Sequence, residues 1–261
     1  MRYVTEYEQH LKDLHRSPAT IRLRLHYVRA YTTRFDPEHA TPTLLNRWVH
    51  SHEWSPATVQ SAIASLRSFY AYMHKAGHLQ SNPAAELVNV RSRRTVARIA
   101  TDAQIAAGLL AATRTQHEAW ILLGAECGLR VHEIAKVHAD DIDGEWLTVL
   151  GKGQQIRTVW MSPRLRDVLE RCPTRHGHLF PGKSGTPVHP STVWRAVRDL
   201  VHVNTHALRH RAGTTVYRLG GNDIRLAQEF LGHASPITTA RYVHVERDQL
   251  RTAGMAASMA A

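Results

Sequence analysis

The sequence has few cysteines, few acidic residues and no long apolar run. Its two cysteines, Cys127 and Cys172, are too few for a disulfide framework or a four-cysteine zinc site. The longest apolar run, around residues 119–125, is too short to cross a bilayer. The opening residues Met1-Arg2-Tyr3-Val4 do not form a signal-peptide pattern. We therefore expect an intracellular protein with reduced thiols and no membrane partner.

The shortage of acidic residues leaves the chain strongly basic. Aspartate and glutamate number 22 against 33 lysines and arginines, and the net charge is +11. A surplus of this size favours a polyanionic partner, nucleic acid before an acidic membrane. Residues 1–99 contain 14 basic and 7 acidic side chains, against 19 and 15 in residues 100–261. The first part is therefore predicted to bind the polyanion more strongly.

Hydrophobic periodicity predicts a mainly helical chain with a small β-sheet. In the first part, helices are predicted at residues 3–15, 18–34, 42–52 and 56–76. In the second part, they are predicted at residues 102–112, 116–127, 130–137, 163–171, 190–200, 206–219, 222–231 and 236–243. Alternating residues at 145–150 and 156–161, joined by a glycine-rich turn, predict a β-hairpin.

These elements predict two domains joined by a basic linker. We expect a helical domain over residues 1–90, a linker over 91–99, a second domain over 100–251 and a tail over 252–261. Any single arginine on a helix is best interpreted as part of a solvated surface. As a set, and given the excess charge, the arginines of the first domain and linker are predicted to contact phosphate. They are Arg22, Arg24, Arg67, Arg91, Arg93 and Arg94.

Most of the chemically distinctive residues lie between Thr205 and His244. His206 and Arg209 lie within one helical turn, His233 follows a glycine, and Tyr242 comes nine residues later. Converging basic and imidazole groups suit an anionic transition state, and a tyrosine supplies a hydroxyl. The alternative is a metal-binding face, because three histidines (202, 206 and 210) recur at four-residue spacing. Arg209 would repel a cation there, and we predict no metal.

Two further motifs lie upstream. Arg130 and Glu133 form an Arg-x-x-Glu pattern. By itself, this pattern predicts only an ordinary capping pair at the start of a helix. Lys152 lies in a Gly-Lys-Gly turn, which alone predicts only a solvated loop. A planar guanidinium can donate to two phosphate oxygens at once, whereas a lysine cannot.

In this order and spacing, these residues resemble the catalytic domain of the tyrosine recombinases, the phage-integrase family, in a short form with core-binding and catalytic domains only. The resemblance implies that Tyr242 attacks the scissile phosphate and forms a 3′-phosphotyrosyl link. It implies that His206 is the base, that Lys152 protonates the leaving 5′-oxygen and that Glu133 supports the site. Three residues would stabilise charge on the non-bridging oxygens, namely Arg130, Arg209 and His233. No metal, other cofactor or ATP is implied.

The resemblance also implies double-stranded DNA core or attachment sites, a homotetramer on paired sites, and a bacterial host cytoplasm and nucleoid. An accessory DNA-bending or directionality protein is a further candidate partner. The tail, residues 252–261, ends in Met-Ala-Ala. We expect it to be a degradation signal for an ATP-dependent protease, and a docking segment and a frayed end are the alternatives. Phage or mobile-element integration is the favoured role; the alternatives are a Xer-like chromosome resolvase, a type IB topoisomerase and a non-catalytic DNA-binding regulator.

Overall fold

A computed structural model describes residues 2–89, 98–151, 155–172, 174 and 176–232. The chain divides into two compact units, residues 1–95 and 96–261. The first contains helices α1 (Arg2–Asp13), α2 (Pro18–Thr32), α3 (Pro42–His50) and α4 (Pro56–Lys75), with a 3₁₀ turn at Pro37–His39. The four predicted helices are confirmed within a few residues at each end.

Helix starts in the first unit are set by short-range chemistry. Ser17, Thr41 and Ser55 each precede a proline, and each side-chain oxygen accepts a hydrogen bond from the backbone N–H three residues later. Proline at the first helical position has no N–H to satisfy and fixes φ near a helical value. The helices enclose an aromatic core that includes Tyr31 and Phe69.

The predicted phosphate contacts in this unit differ in exposure. Arg22 is exposed. Arg24 is half-buried, with Nη1 3.4 Å from Ser65 Oγ. Arg67 is also half-buried, and it donates to the backbone carbonyl of Leu87. The solvated surface position expected of Arg24 and Arg67 is therefore wrong, because both guanidinium groups reach back to their own domain. Their contact with DNA stays a prediction.

The second unit is helical with one small sheet, as predicted. Its helices are α5 (Asp102–Ala111), α6 (Thr115–Ala125), α7 (Val131–Lys136), α8 (Pro163–Glu170), α9 (Pro190–Val201), α10 (Thr205–Leu219) and α11 (Ile224–Leu231). Its strands are β1 (Ile142–Asp143), β2 (Trp146–Leu150) and β3 (Ile156–Trp160), and 3₁₀ turns lie at Ala139–Asp141 and Lys183–Gly185. Helix α6 is buried along most of its length and contacts α5, α7, α8, α9 and α10. Among the described residues, no helix is long and apolar enough to cross a membrane.

The sheet is antiparallel, in the order β1-β2-β3. Strands β2 and β3 form the predicted hairpin, with Trp146 opposite Trp160 and Leu150 opposite Ile156. Leu147, Val149 and Val159 are buried on its inner face, as the alternation requires. The short strand β1 was not predicted, because two residues are too few to show an alternating pattern.

Candidate active site

A buried carboxylate lies at the centre of the site. Glu133 is on α7, which begins immediately after Arg130, and its side chain is 5% exposed. Its Oε2 accepts a hydrogen bond from the Arg130 backbone N–H at 2.9 Å, and its Oε1 accepts one from Arg130 Nη1 at 2.7 Å. Both bonds run from Arg130 to Glu133, so the predicted Arg-x-x-Glu pair caps the start of α7 through the glutamate side chain. It also leaves the Arg130 side chain one-third exposed, at 33%.

A second arginine, which the sequence analysis missed, binds the same carboxylate. Arg157 lies on β3 and donates from Nη1 to Glu133 Oε1 at 3.2 Å and from Nη2 to Oε2 at 2.8 Å. This bidentate pair is the strong geometry for arginine and carboxylate. The side chain of Arg157 is 8% exposed. Arg157 shares the inner face of the hairpin with Val159, and an arginine at an inward strand position was the available signal.

Arg209, on α10, is the third cation of the cluster and is almost completely buried, at 1% exposure. Its Nη1 lies 3.9 Å from Glu133 Oε2. Its guanidinium nitrogens Nη1 and Nη2 donate to the backbone carbonyls of Gly128 and Leu231, respectively. Arg209 therefore joins the turn before Arg130 to the last residue of α11, so that three distant parts of the chain meet around it.

Glycine is required where these parts meet. Gly128 has φ +64°, and a β-carbon there would lie 3.0 Å from Phe230 Cε1 and from Leu231 Cδ2. Gly232 ends α11 with φ +60°, and a β-carbon there would lie 3.0 Å from Arg157 Cδ. The Gly232 carbonyl accepts a 3.4 Å hydrogen bond from Arg130 Nη2. Both positions combine left-handed backbone with close packing, which only glycine tolerates without strain.

The electrostatics of the cluster favour an anion. Burial by itself would raise the pKa of Glu133, but hydrogen bonds and charge from Arg157, with hydrogen bonds from the backbone and side chain of Arg130, lower it below its ordinary value. The carboxylate is therefore ionised at neutral pH. Three guanidinium groups around one carboxylate leave a net charge of +2, since each arginine stays protonated. Such a surplus suits a phosphate at the exposed side of Arg130.

His206 lies in the first turn of α10, three residues before Arg209. The helix begins at the cap residue Asn204, whose Oδ1 accepts from the Ala207 N–H at 2.9 Å. His206 is exposed, and its ring lies 4.4 Å from that of buried His210. Residues three apart share a helix face, which places His206 beside Arg209. A helix N-terminus also favours an anion near His206.

Several predicted residues lie outside the described residues. They are Arg91, Arg93, Arg94, Lys152, His233 and Tyr242. The predicted helix at 236–243 and the tail lie there as well. Residue 152 comes directly after described Gly151, and His233 directly after Gly232. The roles assigned to all of these residues stay predictions.

Comparison with known proteins identifies relatives of the chain. A model of the phage integrase family matches residues 95–249. The tyrosine recombinase XerC of Caldanaerobacter subterraneus subsp. tengcongensis is 34% identical over 220 residues, which cover 76% of this chain and 62% of that protein. XerC of Xylella fastidiosa strain M23 is 31% identical over 215 residues, covering 76% of this chain and 73% of that protein.

Solved structures share the fold. The integrase of mycobacterium phage Brujita is 26% identical, with a TM-score of 0.50 over 96% of this chain and 90% of that one. XerA recombinase is also 26% identical, with a TM-score of 0.52 over 96% of both chains. A lambda integrase dimer bound to a core site is 16% identical with a TM-score of 0.77, over 94% of this chain and 99% of that one. At that identity, the last comparison supports the fold alone.

Proposed function

Because the chain belongs to the phage integrase family of tyrosine recombinases, whose members break and rejoin DNA, we propose that it is a site-specific recombinase acting on double-stranded DNA. The observation that carries this proposal is the set of three arginines around one buried carboxylate, with a net charge of +2. A fixed positive site of this kind can stabilise the extra charge of a phosphoryl transition state. The exposed side of Arg130 is where we place the scissile phosphate.

The proposed reaction conserves the energy of the broken bond. Tyr242 attacks the scissile phosphorus, a 3′-phosphotyrosyl bond forms, and the bond to the 5′-oxygen breaks. The 5′-hydroxyl of a second strand then attacks the phosphotyrosine, restoring a phosphodiester and freeing the tyrosine. Each step exchanges one phosphoester bond for another, so no ATP is consumed.

The residues divide the work in our proposal. His206 accepts the tyrosine proton, since free tyrosine has a pKa of about 10 and attacks only as it loses that proton. Lys152 donates a proton to the departing 5′-oxygen. Arg130 contacts the non-bridging oxygens directly. Arg209 acts from beneath them, where low-dielectric surroundings strengthen its charge. His233 adds a further donor beside Gly232.

Glu133 is a supporting residue in this scheme and not a base. Both of its oxygens already accept hydrogen bonds, from Arg130 and from Arg157. An ionised carboxylate with every strong acceptor position used has no capacity to take a further proton from a substrate. Its role is to hold Arg130 in one orientation, with the guanidinium turned towards the DNA.

We further propose a homotetramer on paired sites in a bacterial cytoplasm. A lambda integrase tetramer bound to a Holliday junction has the same fold at 17% sequence identity, and the proposed assembly follows that example. Phage or mobile-element integration is the role we favour, and the XerC relatives support chromosome resolution as the second candidate. A recombination assay on both kinds of site separates the two roles. Activity on phage-type attachment sites would indicate integration, and activity on chromosomal resolution sites would indicate resolution. An accessory DNA-bending protein and a protease that recognises the tail belong to the same proposal.

The test uses a nicked suicide duplex that carries a candidate core site, with products separated on a denaturing gel in the presence of a chelator. Wild-type protein should form a covalent adduct. Tyr242→Phe should bind the duplex without forming an adduct. The control is Tyr217→Phe, which removes the hydroxyl of a tyrosine on α10 and should behave as the wild type. Binding by all three proteins without any adduct would favour the non-catalytic regulator. Relaxation of supercoiled DNA without strand exchange would favour the topoisomerase.

A further inference from the structure

Arg157 contacts more of the site than any role assigned above requires. It lies on β3, the strand that follows Lys152 in the sequence. It binds Glu133 through both Nη groups, and its Cδ would lie 3.0 Å from a β-carbon added at Gly232, the residue before His233. One side chain therefore lies close to the hairpin, to helix α7 and to the end of α11. In the sequence, a predicted catalytic residue is next to each of these elements: Lys152 follows β2, Arg130 precedes α7 and His233 follows Gly232.

We propose that Arg157 is a positioning residue, which orients Arg130 through Glu133 and fixes the hairpin and the end of α11 relative to each other. This inference rests on the proposed function. Arg157 points to the inner face of the hairpin, two residues before Val159, which is buried on the same face. An arginine at such a position loses hydration, and a bidentate carboxylate compensates for that loss.

The route from Arg157 to Arg130 consists of four hydrogen bonds. Each oxygen of Glu133 accepts one hydrogen bond from Arg157 and one from Arg130. The donors of Arg130 are its Nη1 and its backbone N–H. With Arg157 present, the carboxylate cannot rotate without breaking two bonds. With Arg157 removed, one edge of the carboxylate has no donor, and Arg130 loses its fixed partner. A loosely held guanidinium loses the alignment on which phosphate stabilisation depends.

The charges that face Glu133 predict a distinctive pH signature. They are Arg130 before its own helix, Arg157 from β3 and Arg209 from α10. Arg157 makes the largest contribution to lowering the pKa of Glu133, against the opposing effect of burial. Without Arg157, that pKa moves up. The active form, with Glu133 ionised, is then lost at a higher pH than in the wild type.

The experiment measures the single-turnover rate of adduct formation on the nicked duplex from mildly acidic to mildly alkaline pH. Variants are Arg157→Gln, Arg157→Lys, Glu133→Gln and the Arg157→Gln/Glu133→Gln double variant. The control is Arg171→Gln, because Arg171 also pairs with a glutamate, Glu118, at 3.1 Å, but on the surface. Duplex affinity is measured in parallel.

Arg157→Gln should form adduct about 100-fold more slowly at neutral pH, the loss expected of a misplaced reacting group. Its affinity for the duplex should not change, and its rate should begin to fall at a higher pH than that of the wild type. Arg157→Lys keeps the charge, so its pH profile should stay close to that of the wild type while its rate falls. The double variant should be no slower than the slower single variant. Arg171→Gln should match the wild type.

Two results would overturn the inference. One is an Arg157→Gln rate equal to that of Arg171→Gln. The other is a rate loss with an unmoved pH profile that multiplies with the Glu133→Gln loss, as expected if Arg157 acts independently of the carboxylate. If Arg157→Gln does not fold, Arg157→Lys takes its place: a rate equal to that of Arg171→Gln, or a rate loss that multiplies with the Glu133→Gln loss, would overturn the inference. Absence of adduct with the wild type would refute the proposed function, and this inference with it.

Discussion

The buried carboxylate of Glu133 should contribute strongly to the stability of the second unit, and Glu133→Gln tests this. The substitution leaves three guanidinium groups close together with no negative charge between them. An amide keeps one oxygen, but its NH₂ group turns towards arginine donors and accepts nothing. Removing one partner of a buried ion pair costs ~3–5 kcal/mol. We expect the unfolding free energy of this unit to fall by that amount.

Glu118 provides a matched control. It also bridges two arginines, Arg164 at 3.5 Å and Arg171 at 3.1 Å, but both partners are more than half exposed. Surface pairs contribute about 0–1 kcal/mol each because water screens them. Glu118→Gln removes two such pairs and should therefore reduce the unfolding free energy by no more than about 2 kcal/mol. The two variants change the same atoms, and burial is the main difference between them.

The assay is urea unfolding of the full chain, with hydrogen exchange of β3 and α10 to report on the second unit. The pKa of Glu133 in the folded protein lies below its ordinary value of 4.5, so the stabilisation is fully present at pH values above 4.5. It is lost as the pH falls through the folded pKa. The difference between the wild type and Glu133→Gln should therefore shrink on acidification. Equal losses in Glu133→Gln and Glu118→Gln at neutral pH would refute the electrostatic argument.

Three further predictions concern the residues around the site. Burial raises the pKa of Cys127 to about 12 and that of Cys172 to about 11, so both thiols should resist iodoacetamide at mildly alkaline pH and react in urea, as measured by intact mass. Asn204→Ala removes the cap of α10 and should cost about 1 kcal/mol, with faster hydrogen exchange in the first turn of that helix. Gly128→Ala forces a left-handed alanine against Phe230, which should cost at least ~1–2 kcal/mol and lower the Tm measured by circular dichroism.

Local chemistry explains why so much of the fold was predictable. A Ser-Pro or Thr-Pro pair begins a helix by bonds that span three residues, and alternation over five residues defines a strand. Neither depends on the rest of the chain. The motif residues Arg130, Glu133, His206 and Arg209 were predictable for a different reason, since their order and spacing resemble a family. The solvated surface position expected of Arg24 and Arg67 was wrong, because the burial of an arginine depends on which neighbours its guanidinium group reaches.

The sequence by itself determined the helical class, the hairpin, the excess positive charge and the Arg-x-x-Glu pair. Tertiary structure alone decided that Arg157 and Arg209 share the carboxylate of Glu133. Arg157 is 24 residues from Glu133 along the chain, and no periodic pattern relates the two. Burial then gives these contacts their strength. An arginine and a glutamate interact weakly in water and strongly in a low-dielectric interior, and only the packing of α7, β3 and α10 creates that interior.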